Sequence, residues 1–152
     1  RTEVDITHPT DLTDGDLVAR GTINSGFVLY VQDGRLHFDY NCFHTHTRAV
    51  AGDLLAPGLH TLALEVVRNN QGGAQVTLRI DGAVVAEAAI PKLLFLLSSL
   101  GMDLGRGNAP INDDYEAPFV YPGQMHRVVF EIADKISHGE VKAHMRAEMS
   151  RQ

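Results

Sequence analysis

The stretch GFVLYVQDGRLHFDYN, from Gly26 to Asn41, predicts a β-hairpin. Its centre is Asp33-Gly34, a pair that tolerates the positive φ angles of a two-residue type I′ turn. In the register set by that turn, one face of the hairpin is entirely apolar and the other is mixed. The apolar face contains Phe27, Leu29, Val31, Leu36, Phe38 and Tyr40. A one-residue slip would mix the two faces, so the turn and the alternation independently favour the same register.

Further strands are predicted on both sides of this hairpin. A second Asp-Gly turn, Asp81-Gly82, predicts another hairpin that runs from Gln75 to Ile80 and back from Ala83 to Ile90. Alternating apolar residues predict the remaining strands at residues 1–7, 17–23, 45–51, 60–66 and 123–132. Short strands separated by turns are typical of β-sandwiches. We therefore predict an all-β fold for this part of the chain.

The sequence pattern changes after the last predicted strand. Ser137 and Glu140 have the spacing of a capping box, in which each side chain satisfies an orphan backbone donor at a helix start. Apolar residues then recur at four-residue intervals, which predicts a C-terminal α-helix. The apolar positions of that helix are Val141, Met145 and Met149. We predict a sandwich domain at residues 1–133 and a helical extension at 134–152, whose apolar stripe packs onto its own domain or contacts a second copy in a homo-oligomer.

Length, charge and hydropathy narrow the range of partners. The chain has 152 residues, a length that suits one domain with its own core. It carries 13 basic and 19 acidic residues, a formal charge of −6, and no basic cluster, so we expect no nucleic-acid partner. The longest apolar run, LLFLL at residues 93–97, is far shorter than the roughly 20 residues that a membrane helix needs. We therefore expect a soluble protein that contacts no membrane.

Histidines and the single cysteine are the first candidates for chemistry. The histidines concerned are His37, His44, His46 and His60. Strand alternation would place His44 and His46 on one face, a spacing compatible with zinc. No carboxylate lies at a defined spacing from them, and solvated sheets commonly carry single histidines, so we predict no metal site. Cys42 alternates inwards with Tyr40 and is predicted to be a small buried hydrophobe rather than a nucleophile.

A long polar loop, NAPINDDYEAPF at residues 108–119, and its surroundings hold the candidate contact residues. Its amide and carboxylate oxygens are ligands that calcium accepts, but the spacing differs from an EF-hand and the same residues are standard in turns. The aromatic residues in and after the loop either touch a ligand or close the end of the sandwich. The predicted ligand or partner contacts are Asn112, Asp113, Asp114, Tyr115, Phe119 and Tyr121. No GxSxG or HExxH motif occurs, and no catalytic residue is predicted.

Several blocks of the sequence, in order, resemble the C-terminal domain that follows the catalytic domain in a group of bacterial arylsulfatases. These blocks are GFVLYVQDGRLHFDYN, LAPGLHTLALEV, GAQVTLRIDGAVVAE and MDLGRGNAPINDDYEAPFVYPGQMHRVVFEI. The resemblance runs from about Glu3 to Ile132, and it depends above all on YVQDG, DDY and the closing strand. It implies a concanavalin A-like jelly-roll β-sandwich, appended to an alkaline-phosphatase-like hydrolase domain that cleaves sulfate esters with a bound divalent metal, usually calcium.

The resemblance carries no active site to this chain. In that family the nucleophile is a formylglycine made from the cysteine of a CxPxR motif. Here the surroundings of Cys42 read NCFHTHTR, which lacks the proline and the arginine spacing. The resemblance therefore implies no catalytic residue and no cofactor in this chain, and it assigns calcium to the catalytic domain. The predicted helix after Ile132 departs from the family pattern, in which the chain stops soon after the last strand.

Three functions follow as expectations. The first is a non-catalytic accessory domain that shapes substrate access or subunit contacts, with the catalytic sulfatase domain of the same polypeptide as its partner. This expectation fits a chain that begins at Arg1 within a predicted strand, as a fragment of a longer bacterial protein in the cytoplasm or periplasm would. The second is a stand-alone carbohydrate-binding module, either simply lectin-like or calcium-dependent. The third is an interaction domain that dimerises through its terminal helix.

Overall fold

The computed structural model describes residues 1–10, 12–94 and 100–132. These residues form an all-β structure, and no helix occurs among them. Their strands are β1 (Thr2–His8), β2 (Gly15–Thr22), β3 (Ser25–Gln32), β4 (Arg35–Cys42), β5 (Thr45–Val50), β6 (Gly58–Arg68), β7 (Ala74–Ile80), β8 (Ala83–Ile90), β9 (Asp103–Leu104), β10 (Arg106–Gly107), β11 (Phe119–Val120) and β12 (Gln124–Phe130). The predicted helix, with Val141, Met145 and Met149, lies outside the described residues.

The strands form two sheets. Sheet 1 has the order β12-β1-β6-β7-β8, and all its neighbouring strands are antiparallel. Sheet 2 has the order β10-β11-β2-β3-β4-β5, with β9 also paired to β2. Sheet 2 is mixed, because the short β11 runs parallel to β2. In sheet 1 the first strand, β1, lies between β6 and β12, so its two partners come from the middle and the end of the described chain.

The central hairpin, β3 and β4, has the predicted register. Leu29 lies opposite Phe38, and Tyr30 lies opposite His37. The turn residue Asp33 has a φ of 50°, as a type I′ loop requires. The second Asp-Gly hairpin, β7 and β8, is also confirmed, with its turn at residues 81–82.

The apolar face of the central hairpin forms the core together with sheet 1. Leu29, Leu36 and Phe38 are buried against side chains from β1, β6 and β7. The sheet 1 side of this core includes Val4, Ile6, Leu62, Val76 and Leu78. Burying side chains of this size stabilises the fold by about 1.5–3 kcal/mol each. The architecture is therefore β-sandwich-like, with one apolar layer between two sheets.

Among the described residues, the outer face of sheet 1 carries partly exposed charged side chains. On sheet 1, Arg127 pairs with Asp5 at 2.8 Å, and Arg79 reaches Glu65 at 3.5 Å. These side chains are partly exposed, and ion pairs of this kind add little to stability. The outer face of sheet 2 is different, because a loop covers it.

The gap between the sheets widens into a cavity of about 280 Å³, lined mainly by apolar side chains and also by arginines such as Arg20 and Arg68. Sheet 2 lines it with Phe27, Phe38 and Tyr40, and sheet 1 lines it with Leu64 and Val66. On one side it is bordered by residues 93–94, where the main-chain amide of residue 94 donates a hydrogen bond of 2.7 Å to the hydroxyl of Tyr40. That bond satisfies the polar end of a buried tyrosine, so its ring can line an apolar space.

The turn between β4 and β5 departs from the sequence prediction. Phe43 and His44 both have positive φ angles, 50° and 67°, which are uncommon for residues other than glycine. His44 is therefore a turn residue, and the prediction that it shares a strand face with His46 is wrong. The turn forms because the strands on both sides are held in register, with Cys42 opposite Thr45.

Replacing this turn with its preferred residues should stabilise the protein. The double variant Phe43→Asn, His44→Gly removes a side chain that is 65% exposed and suits a type I′ loop. We expect the free energy of unfolding to rise by about 1 kcal/mol, since unfavourable φ values cost about that much. Urea unfolding measures the change. Asp53→Asn, an exposed substitution away from the turn, is the control, and an unchanged or lower stability of the double variant would contradict the argument.

Candidate functional site

The loop between β10 and β11 lies across the outer face of sheet 2. Ile111 and Tyr115 are buried there against Val28 and Tyr30, two side chains on the mixed face of the central hairpin. Phe119 stacks on Tyr115, with ring centroids 4.4 Å apart. Apolar and aromatic contacts therefore hold this polar loop in one conformation.

Beneath the loop lies the fully buried carboxylate of Asp39. The hairpin register places Asp39 on the outer face, with Arg48 beside it on β5. The carboxylate accepts hydrogen bonds from His46 Nδ1 at 2.9 Å, Arg48 Nε at 2.9 Å and Asn112 Nδ2 at 2.8 Å. A buried charge is tolerated when it is paired and hydrogen-bonded in this way.

Arg48 links this carboxylate to the loop. Its Nη1 lies 2.8 Å from Asp114 Oδ2, while its Nε contacts Asp39. Burial alone would lower the pKa of Arg48, but the two carboxylates outweigh this effect and raise the pKa above its usual value. Asn112 adds a second link, because its Oδ1 accepts a hydrogen bond from the Asp114 amide at 3.0 Å.

Asn41 supports the same face from the next outward position on β4. Its Nδ2 donates to the carbonyls of Ile23 at 2.6 Å and Ile111 at 2.9 Å. Its Oδ1 accepts a hydrogen bond from the His44 amide at 2.8 Å. One buried amide therefore ties together the loop, the β4–β5 turn and the end of β2.

This arrangement suits recognition better than bond cleavage. The Asp39 carboxylate is already engaged by three donors, and Arg48 by two acceptors. A general base or nucleophile needs a group that can reach substrate. The exposed parts are the edge of His46, the Arg48 guanidinium and the carboxylates of Asp113 and Asp114, which form a rigid polar surface.

The structure separates the six predicted contact residues into three groups. Asn112, Asp114 and Tyr115 belong to the network just described, with Phe119 packed beside them. Asp113 is exposed. Tyr121 lies elsewhere, in the main core, where its hydroxyl is hydrogen-bonded to His8 Nδ1 at 2.9 Å. Contact of these residues with a ligand or partner stays a prediction.

The side chains of Tyr115 and Tyr121 are buried. They are only 8% and 5% exposed. Their hydroxyls have partners, the Ile111 amide and His8, so the rings can be buried without an unsatisfied polar group. Burial raises the pKa of Tyr121 to about 12 and raises that of Tyr115 as well, so both remain protonated at neutral pH.

The four histidines singled out from the sequence do not form one cluster. His46 contacts Asp39, whereas His60 lies in sheet 1 with its ring nitrogens 2.7 Å from Asp81 Oδ2 and from the Ala56 carbonyl. Across the described ranges, no three His, Cys, Asp or Glu side chains are grouped as metal ligands. Cys42 packs against the core, on the face that the alternation predicts, but it is only partly buried.

One notable residue, Asp16 on β2, was not singled out from the sequence. It is fully buried, and neither of its carboxyl oxygens has a hydrogen-bond partner in the described part of the chain. Burial raises its pKa to about 8, and the nearby Asp103 carboxylate contributes to the shift. Gly107 lies directly against it, since a Cβ there would be 2.5 Å from Asp16 Oδ2. All four residues of the run DLVA, residues 16–19, are buried. No alternation of apolar and polar positions therefore marks Asp16 as unusual.

Comparisons with known proteins assign no family. Neither the protein-family models nor the curated proteins gave a match to this chain.

Within the described ranges, no helix has the length and apolar character needed to cross a membrane. The fold and the site therefore define the class of this protein as an all-β, sandwich-like domain with one loop-covered face.

Removing the Asn112 amide should weaken the protein. In Asn112→Ala, the buried Asp39 carboxylate loses a donor, and the main-chain amide of Asp114 loses its acceptor within the loop. An unsatisfied buried polar group costs about 1–3 kcal/mol, so we expect the free energy of unfolding to fall by about 2 kcal/mol. Asp113→Ala, an exposed change in the same loop, should stay within about 0.5 kcal/mol. Equal stability of the two variants in urea unfolding would show that the amide does not anchor the loop.

Asp16 should make the protein less stable as pH rises. The folded pKa of about 8 exceeds the ordinary value of 3.8, so the folded state holds this proton more tightly than the unfolded chain does. The stability contribution is therefore fully present below pH 3.8 and is lost as pH rises towards about 8. Asp16→Asn cannot ionise, so its stability relative to wild type should increase by up to about 1.4 kcal/mol per pH unit across this window.

Urea unfolding between pH 5 and pH 7.5, with EDTA present, measures this difference. Asp113→Asn removes an exposed carboxylate from the same side of the molecule and should follow the wild-type pH profile. Parallel pH profiles for wild type and Asp16→Asn would contradict the raised pKa.

Proposed function

We propose that this chain is the non-catalytic C-terminal accessory domain of a bacterial arylsulfatase, folded as a concanavalin A-like jelly roll. Its partner is the catalytic sulfatase domain of the same polypeptide. In this role the loop-covered face of sheet 2 contacts that domain and shapes the approach of the substrate. A direct contact between YVQDG and DDY, the two most distinctive motifs of the resemblance, carries the proposal.

That contact joins residues far apart in the chain. Gln32 Nε2 donates a hydrogen bond of 2.9 Å to the Asp114 carbonyl. The rings of Tyr30 and Tyr115 lie 5.7 Å apart in a tilted arrangement. The motif residues therefore fix a loop on a sheet face. A resemblance located in two interacting segments supports a shared architecture more strongly than one located in independent turns.

The charges of this face support a role in domain contact. The Asp39 carboxylate and the Arg48 guanidinium form an ion pair beneath the loop. The loop-covered face of sheet 2 is therefore stable without a ligand. Asp113 and Glu116 project from the loop as exposed carboxylates. Exposed charges around a rigid patch set orientation and specificity at interfaces more than they set affinity. Such a face suits the rim of a neighbouring active site.

The proposal is tested on the chain and on the gene that encodes it. The purified chain should not turn over 4-nitrophenyl sulfate, and the reading frame upstream of Arg1 should encode a hydrolase domain with a CxPxR motif. Saturable multiple-turnover hydrolysis by the chain alone would contradict the proposal. So would a reading frame that begins shortly before Arg1, which would favour a lectin-like module instead.

In the full-length enzyme, reversing the charges of the loop should alter substrate approach without altering the chemistry. The variant Asp113→Lys, Glu116→Lys should change KM severalfold and leave kcat unchanged, because neither residue touches the reacting atoms. Glu87→Lys, an exposed reversal on β8 of the other sheet, is the matched control. Identical KM values for wild type and both variants would exclude this face from substrate access.

A further inference from the structure

Two carboxyl groups of sheet 2 are equally buried but differently surrounded. Asp39 and Asp16 are both 0% exposed. Asp39 accepts hydrogen bonds from three side chains, whereas both oxygens of Asp16 are without a partner within the described ranges. Buried polar groups in proteins are nearly always satisfied by protein, water or an ion. Asp16 therefore needs a proton, a water molecule or an ion as its partner.

The main chain around Asp16 is well ordered by hydrogen bonds. The Gly105 amide donates to the Leu17 carbonyl at 3.0 Å, and the Tyr121 amide donates to the Gly105 carbonyl at 3.0 Å. Val120 pairs with Asp16 itself. Gly107 closes the site, since it allows its main chain to lie against Asp16 Oδ2 where any side chain would collide. The main chain at Asp16 is thus fixed by its pairing with β11, and Gly107 on β10 lies against its carboxyl group.

A second carboxylate lies close by on β9. Asp103 pairs with Ala19 in the ladder to β2, so it is on the strand next to Asp16. Asn108 orients this carboxylate, with its amide nitrogen 2.8 Å from Asp103 Oδ2 and its Nδ2 2.9 Å from Oδ1. Each carboxylate oxygen can accept more than one partner, so Asp103 retains the capacity to bind a cation.

A cation would satisfy both carboxylates together. A proton on Asp16 would neutralise one charge only, whereas a cation can bind oxygens of both carboxylates. The carboxyl groups at this place offer oxygen ligands, which hard cations prefer. Calcium accepts six to eight such ligands in irregular geometry and includes backbone carbonyls and water among them, whereas magnesium demands a near-ideal octahedron.

We propose that Asp16 and Asp103 bind a calcium ion where β2 meets β9 and β10, with main-chain carbonyls and water completing its coordination. This site is separate from the Asn112–Asp114 segment, whose side chains are engaged with Asp39 and Arg48. It is also independent of the accessory role and of any metal in a catalytic domain. Its function would be to hold the segment at residues 103–107 against β2.

Calcium titration of the EDTA-treated chain tests the proposal. Calorimetry should show one ion bound per chain. At a free calcium concentration about 100-fold above Kd, Tm should rise by roughly 5–10 °C. Magnesium at the same concentration should give less than half of this shift. Terbium, which replaces calcium at oxygen sites, should show tyrosine-sensitised emission. Tyr115 is the expected donor, because it lies near enough to Asp16 for their charges to interact.

Variants then locate the ion. Asp16→Asn keeps the shape of the side chain, so it should fold, and it should abolish both the stoichiometric binding and the Tm shift. Gly107→Ala should weaken binding at least about tenfold, because its Cβ would displace Asp16 Oδ2. Asp113→Asn, the matched control from the sequence-predicted loop, should bind as wild type does.

Two results would overturn the proposal. One is the absence of stoichiometric calcium binding to the wild-type chain, which would leave Asp16 as a protonated acid. The other is binding that survives Asp16→Asn and is lost in Asp113→Asn, which would place the ion in the polar loop instead. Failure of either kind leaves the accessory-domain proposal intact, because sulfatase turnover and reading-frame context test that proposal separately.

Discussion

The Asp33-Gly34 turn fixes the register on which the rest of the structure depends. In this register Phe38 faces sheet 1 and Asp39 faces outwards, and a shift by one residue would exchange them. The inward set forms the core of the sandwich. The outward set, which includes Tyr30 and Asn41, is too large and too polar to remain bare or to meet another apolar sheet. A loop with its own amides, carboxylate and aromatic rings covers it instead.

The two buried aspartates show how much depends on the neighbours of a charge. Taking a carboxylate out of water costs several kcal/mol, and donors in good geometry offset this cost. Asp39 has an arginine, a histidine and an asparagine around it, so its charge stabilises one arrangement of the loop. Asp16 lies among backbone and a second carboxylate, so its charge opposes folding unless a proton or cation accompanies it.

Much of the fold could be predicted from local sequence, and much of the site could not. The two Asp-Gly turns and the alternating strands depend on residues close together in the chain, and both hairpins are confirmed. The Phe43-His44 turn lacks the Asn-Gly or Asp-Gly signal of a type I′ loop, because the register of its strands imposes the positive φ angles. The burial of Tyr115 depends on partners more than 80 positions away, such as Tyr30, and an alternation pattern cannot report them. Jelly-roll topology and sulfatase context stay predictions.

The position of β1 between β6 and β12 has a consequence for how the protein is made. Its ladder to β12 joins residues separated by nearly the whole described chain, with Thr2 opposite Phe130. Until β12 leaves the ribosome, one side of β1 is an open sheet edge able to pair with other chains. Pairing over such a separation is slow to form. Between the synthesis of β1 and that of β12, sheet 1 is therefore incomplete, and its open edge is exposed to aggregation.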